Sequence, residues 1–207
     1  MDTKELEGLL LKYSAALKTL ETEISILLQD YEYKNNYNPV EHIKSRLKSY
    51  DSASKKLLSK GYDVTIKNIE EHVHDMVGLR IVCSFLSDVK EIVKIIENSD
   101  QITVHDKEDY ISNPKETGYS SYHLNVYVPV YLIDGVTMVA AEIQIRTVAM
   151  DFWASLDHKI TYKFKGEIPL EIQEEMQNCA DDIHKLDRKM LDLNNQMQEI
   201  KDDQEII

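Results

Sequence analysis

Three stretches of this sequence bring together side chains suited to phosphates and nucleobases. In TMVAAEIQIRT (137–147), Glu142, Gln144 and Arg146 alternate with Ala141, Ile143 and Ile145, which in a strand sets three long polar groups on one face. The apolar run Met138–Ala141 just before them predicts a strand covered on both sides. HDMVGLRIV (74–82) puts Asp75 immediately before a strand-like run, with Gly78 and Arg80 at its entrance. NPKETGYSSYH (113–123) is a loop with Lys115 and Gly118, then Tyr119 and His123 entering a strand. A loop tyrosine beside a glycine can expose its ring as a stacking platform for a base.

A fourth stretch supplies positive charge. From Lys44 to Lys60 come Lys44, Arg46, Lys48, Lys55, Lys56 and Lys60 against one acid, Asp51, in a chain whose formal net charge is -13. That overall balance argues against general nucleic-acid or anionic-membrane binding, so a phosphate ligand must meet this local patch. No G-x-x-x-x-G-K-[ST] or G-x-G-x-x-G occurs and there are only 6 glycines, so side chains rather than a backbone cradle must hold the phosphates. Each feature also has a plainer reading: a solvated helix face for the lysines, a turn or cap for Asp75, a core cover for Tyr119. His72, His74 and Asp75 lack further ligands at helical spacing and make a weak metal site.

These residues need a scaffold, and the pattern predicts helix, then mixed α/β, then helix. Leu6, Leu10, Tyr13, Leu17, Leu20, Ile24, Leu27 and Tyr31 recur in steps of four and three, as do Ile172, Met176, Cys179, Ile183, Leu186, Met190, Leu193, Met197 and Ile200. Both are coiled-coil-type seams, able to pack on each other or between subunits. Pro39 and Pro169 mark the expected starts of the second and last helices, and Lys44 with Lys48, and Lys56 with Lys60, then share a helix face. Residues 78–85, 102–110, 121–132 and 137–147 read as strands, 87–99 as a helix, and Asp134-Gly135 as a hairpin turn. One domain is expected over 1–207: N-terminal helices in 1–60, an α/β core in 61–165 and a C-terminal helix in 166–207. The start of the chain has no basic n-region, and no apolar run is of membrane-spanning length, so a soluble, cytoplasmic protein is expected. Cys83 and Cys179 read as core thiols.

HDMVGLRIVCSF (74–85), KETGYSSYH (115–123), EIQIRT (142–147) and MDFWASLDHKITYKF (150–164) occur in the order and spacing of the RelA/SpoT-type nucleotidyltransferase domain. The chain resembles a stand-alone small alarmone synthetase of the RelQ type. The resemblance implies an α+β fold with a mixed, mostly antiparallel sheet flanked by helices. It implies transfer of pyrophosphate from ATP to the ribose 3′-hydroxyl of GDP, GTP or GMP, making the (p)ppGpp alarmone of the stringent response. Mg2+ is the implied cofactor, with Asp75 as its ligand and Glu142 helping to bind it or taking the hydroxyl proton. Arg46 and Arg80 match the arginines that sandwich adenine, and Lys48, Lys56 and Lys60 would meet the donor phosphates. Tyr119 matches the guanine-stacking tyrosine, with Lys115 and His123 near the acceptor phosphates or the transferring group and Gln144 on the cleft wall. Asp151 is the candidate reader of the guanine N1–H and N2–H2 edge. A homotetramer built through the terminal helices is also implied.

Three positions depart from the family's pattern. Ser59 stands where relatives commonly have a donor-binding arginine, Ser120 replaces a longer polar or basic residue, and Glu108 stands where a basic residue often lies near the acceptor. A hydrolase of the same nucleotides would need several His and Asp residues on successive helices, and His74-Asp75 precedes a strand instead. The alternative is a catalytically silent guanine-nucleotide-binding regulator, which is disfavoured because both Asp75 and Glu142 are present.

Overall fold

The structure, a computed structural model, describes residues 3–161 and 168–205. Residues 162–164 of the MDFWASLDHKITYKF motif and the expected core boundary at 165/166 lie outside the described residues. The first apolar seam forms α1 (Thr3–Asn35), which stops where Asn36 takes a left-handed φ of 53°. Next come β1 (Val40–Leu47), α2 (Tyr50–Ser59), α3 (Ile66–His72), β2 (Val77–Cys83) and α4 (Leu86–Glu97). The chain continues through β3 (Thr103–Asp109), β4 (Tyr122–Leu132), β5 (Gly135–Thr147), α5 (Val148–Thr161) and α6 (Leu170–Glu205). Local chemistry sets several starts: Ser49 accepts from the Ser52 amide, Thr65 from the Asn68 amide, and Asp88 from the Phe85 amide.

The five strands form one sheet in the order β1-β2-β5-β4-β3, in which β2 and β5 run parallel and the other pairs antiparallel. This is the α+β, mostly antiparallel arrangement that the resemblance implies. The segment after Pro39 departs from expectation, being strand rather than helix. Its Val40, Ile43 and Leu47 have helical spacing, but Ile43 and Leu47 remain 38% and 37% exposed, so no core rewards that face. Pairing with the edge of β2 decides instead, with the Asn38 side chain accepting from the Val40 amide at the entrance. Lys44 and Lys48 therefore share a strand direction, not a helix face. The hairpin turn is also shifted by one residue: Leu132 pairs with Gly135, leaving Ile133 and Asp134 as the two-residue loop.

α1 and α4 pack on one face of the sheet, where Leu20, Ile24, Ile92 and Ile96 meet Leu79, Ile81, Leu124, Ile143 and Ile145. The opposite face stays open. Met138 is 51% exposed, so the run 138–141 is covered on one side only. The two seams part company: α1 buries Tyr13, Leu20 and Ile24, whereas α6 packs on α5 and α4 and leaves Leu186, Met190, Leu193, Met197 and Ile200 exposed. Cys83 is buried as expected, but Cys179 lies on an exposed side of α6. Among the described residues no helix is long and apolar enough to cross a membrane.

Leu20 has no exposed surface and sits between α1 and the sheet. Leu20→Ala is expected to cost about 2–5 kcal/mol in urea unfolding, while Leu11→Ala, at an exposed position, stays within about 0.5 kcal/mol.

Candidate functional site

The open face is ordered by strand register. Directly paired residues project to the same side, so Lys44, Arg80, Gln144, His123 and Glu108 form one row across all five strands. The next row is Arg46, Gly78, Glu142, Asn125 and Asp106. Both rows run from cationic at β1 to acidic at β3. A ligand lying across them meets opposite fields at its two ends.

At the cationic end a cavity of about 270 Å3 is lined by residues including Arg46, Gly78, Arg80, Glu142 and Gln144. The Arg46 side chain lies over Gly78, its Cγ and Nε in ordinary contact range, 3.5 and 3.6 Å, of where a β-carbon on Gly78 would stand. Arg80 donates from Nη1 to Asp151 at 3.0 Å, while its buried Nε has no partner. Burial and the neighbouring Arg146 lower the Arg80 pKa, and Asp151 opposes them. At the cavity's edge Lys48 and Lys56 donate to the two oxygens of Asp75 at 2.6 and 2.7 Å. Lys48 is fixed there because its amide donates to the Met76 carbonyl at 2.8 Å. Burial alone would raise the Asp75 pKa, but the two ammonium groups outweigh it and hold the carboxyl below its usual value. Lys60 caps α2 instead, and its charge is felt by His74 rather than by Asp75.

Toward β4 and the loop before it, five side chains close a ring of contacts. Arg146 Nη2 donates to the Tyr119 hydroxyl at 2.6 Å and to Gln144 Oε1 at 2.9 Å. Gln144 Nε2 donates to Glu142 Oε2 at 2.7 Å. Glu142 Oε1 lies 3.3 Å from His123 Nδ1, and His123 Nε2 is 2.8 Å from the Tyr119 oxygen. Since Arg146 can only donate, the Tyr119 proton is free for His123 Nε2, which assigns the Nδ1–H tautomer facing Glu142. Burial pushes Glu142 upward, but His123 and Gln144 bring its pKa below the ordinary value, so it stands ionised. Glu142 thus belongs to both halves, lining the cavity and contacting His123. Lys115 lies 5.3 Å from the Tyr119 ring centre and 4.3 Å from that of Tyr110.

Asp151 is buried, and its Oδ1 receives Arg80 at 3.0 Å and Arg146 at 3.3 Å, with Lys44 3.7 Å from Oδ2. The structure brings it to the two arginines that join the halves of the site. His72 stacks on Tyr62 at 3.9 Å and His74 meets the His105 edge, so neither joins Asp75 in a ligand cluster. Sequence reasoning missed Tyr110, whose hydroxyl donates to Glu108 at 2.7 Å and whose ring meets the edges of Tyr119 and His123. The Glu108 bond, with burial second, pushes the Tyr110 pKa up to about 12. It also missed Asn125 and Ser121, the latter accepting from Arg146 Nε at 3.3 Å. Register against Glu142 places Asn125, and a hydrogen bond from the Ser121 hydroxyl to the Ile145 carbonyl at 3.3 Å places Ser121; no local motif signals either.

Asp75 and Glu142 are hard oxygen donors, both held ionised and close enough to feel each other's charge. Among the described residues no three His, Cys, Asp or Glu side chains gather as a closed metal cage. Two carboxylates beside a phosphate-sized cationic patch suit Mg2+, which completes its shell with water and substrate phosphates.

Fold and site together define a class: a mixed-sheet nucleotidyltransferase-like domain that meets phosphates with side chains. The family described as "Region found in RelA / SpoT proteins" matches residues 45–167. GTP pyrophosphokinase YwaC of Bacillus subtilis is 46% identical over 182 residues, covering 88% of this chain and 87% of that protein. GTP pyrophosphokinase YjbM of the same organism is 35% identical over 199 residues, covering 96% and 93%. Among solved structures, small alarmone synthetase 1 of Bacillus subtilis bound to its product pppGpp superposes with a TM-score of 0.85 at 34% identity, covering 94% of this chain and 99% of that one. Small alarmone synthetase 2 of Bacillus subtilis gives 0.81 at 44% identity, covering 90% and 97%. The chain belongs to the RelA/SpoT family, and its similarity extends along the whole of the small stand-alone synthetases.

Asp151→Asn leaves the buried Arg146 and the half-buried Arg80 without their counter-charge and is expected to cost about 3–5 kcal/mol of stability in denaturant unfolding. Lys44→Gln, removing a mostly exposed partner of the same carboxylate, should change stability by no more than about 1 kcal/mol.

Proposed function

We propose that the protein is a (p)ppGpp synthetase that transfers pyrophosphate from ATP to the ribose 3′-oxygen of a guanine nucleotide. One observation carries this reading: an arginine-lined cavity and a loop tyrosine lie on either side of the same ionised carboxylate, Glu142. Arg46 and Arg80 sandwich the adenine, guanidinium planes suiting a ring better than ammonium groups do. Lys48 and Lys56 turn to the donor phosphates from their contacts with Asp75, and Lys60 lies further out. Tyr119 stacks on guanine, Lys115 meets the acceptor phosphates and Gln144 holds Glu142 in place. Asp151 acts through the arginines it fixes.

Asp75 and Glu142 would hold Mg2+, which would neutralise charge developing on the transferring phosphates. Glu142 takes the 3′-hydroxyl proton as the oxygen–phosphorus bond forms. The bond between the α-phosphate and the β-phosphorus breaks, and AMP leaves with the electron pair. His123, bridging Glu142 and Tyr119, keeps base and acceptor ring in register. The protein works in the cytoplasm as one domain, and the uncovered stripe of α6 supports a homo-oligomer.

Incubation with Mg2+, ATP and GDP should yield AMP and a 3′-pyrophosphorylated product, whereas bound but unchanged nucleotide would favour the silent regulator. Asp75→Asn and Glu142→Gln are each expected to abolish synthesis with the fold intact. Near-normal turnover in either variant would contradict the assignment.

Glu108 lies 3.9 Å from His123 at the acidic end of the row, next to Lys115 on Tyr110. A longer acceptor brings more negative charge toward it, so GDP or GMP should be used better than GTP. In Glu108→Gln the kcat/KM ratio of GTP to GDP is expected to rise; an unchanged ratio would show that Glu108 plays no part in acceptor choice.

A further inference from the structure

α6 braces the segments behind the open face at two points, both on residues adjacent in sequence to the acceptor side chains. The first is Gly118, just before Tyr119. Gly118 has φ +85°, and the turn it makes is closed by its amide donating to the Lys115 carbonyl at 2.8 Å. A β-carbon here would overlap the Ala180 methyl and lie 3.3 Å from Gln177 Oε1 and 3.5 Å from Trp153 Cζ2. Ala180 is buried, and the space between Gly118, Met150, Trp153, Ala180 and Ile183 has no room for water. The backbone carrying Tyr119 therefore rests directly on α6, and only Gly facing Ala allows it.

The second point is Thr147, just after Arg146. Its hydroxyl donates to the buried Asp187 at 2.5 Å and accepts from the Met150 amide at 3.2 Å, pinning the junction of β5 and α5 to α6. Ala180 and Asp187 are seven residues apart, two turns along one face of the helix. The side chains they brace from behind are bonded to each other, Arg146 Nη2 to the Tyr119 hydroxyl at 2.6 Å.

We propose that α6 is the positioning element of the acceptor half of the site: Ala180 sets the height of the Tyr119 turn and Asp187 the placement of Arg146. The inference rests on Tyr119 binding the guanine nucleotide. Ala180 touches no residue that lines the donor cavity, while Asp187 reaches it only at second hand, through Arg146 and the Asp151 that Arg146 shares with Arg80, so disturbing either should weaken the acceptor more than the donor.

The test is steady-state kinetics of Ala180→Val, Asp187→Ala and Asp187→Asn. Ala180→Val is expected to raise the KM for GDP about fivefold or more with the KM for ATP within about twofold of the original, and Asp187→Ala to raise the KM for GDP several-fold more than that for ATP. Asp187→Asn should recover the original values, because its amide oxygen still accepts the Thr147 hydroxyl. Equal shifts in both KM values, no shift for GDP, or an asparagine variant as impaired as the alanine one would overturn the proposal. The chain's single tryptophan gives a second measurement on the unaltered protein, should the variants not fold. Trp153 lies against Gly118, so GDP alone should change its emission and ATP alone should not. A protein that binds GDP with no change in Trp153 emission sinks this inference but not the synthetase reading; one that binds no guanine nucleotide overturns both.

Discussion

A guanidinium almost wholly removed from water governs this molecule. Arg146 is 3% exposed, and a charge so buried persists only if paired and fully hydrogen-bonded. Its four partners come from three places: Asp151 on α5, Tyr119 and Ser121 from the loop before β4, and Gln144 on its own strand. Each partner is thereby fixed relative to the others. The loop before β4 cannot shift without unsatisfying Arg146, and α5 cannot shift without unsatisfying Arg80 as well, since both arginines share Asp151 Oδ1.

That arrangement explains how a strongly acidic protein can handle polyphosphates. Lys44 and Arg46 on β1, Lys48 just after it and Lys56 on α2 gather positive charge at one end of the sheet face, and the carboxylates of β3 stand at the other. Glu142 lies between the two, shared by the cavity and by His123. An anion drawn to the cationic end lies beside an ionised carboxylate. The ring through Gln144, Glu142, His123, Tyr119 and Arg146 keeps that carboxylate at a set distance from the Tyr119 ring. Paired groups of this kind hold one geometry at the cost of desolvation, and the apolar face against α1 and α4 offsets that cost.

Much of this was legible in the sequence because short-range periodicity reports short-range geometry. The alternation through 142–147 placed Glu142, Gln144 and Arg146 on one face, and Asp75 was rightly set before a strand with Arg80 inside it. The β1 segment misled because Val40, Ile43 and Leu47 carry a helical period while the deciding interaction is backbone pairing with a strand some 35 residues on in sequence. The α6 seam reads in the sequence as packing either on the first helix or between subunits; among the described residues of α6 only Ala180 and Asp187, on a neighbouring face, are buried within the chain. The turn error at 133–135 is a one-residue slip of register, which pattern constrains weakly at a hairpin tip.

By itself the sequence determined the inventory: which carboxylates, arginines and tyrosine exist, which share a strand face, and, through motif order, the family. Only the tertiary structure decided who touches whom. It brought Lys48 and Lys56 onto Asp75, drew Asp151 to two arginines, and set Tyr110 and Glu108 beside the acceptor tyrosine. The reason is physical. Periodicity fixes a side chain's direction from its own element, but a contact between elements depends on register and packing, which are settled by burial and hydrogen-bond satisfaction summed over the whole chain.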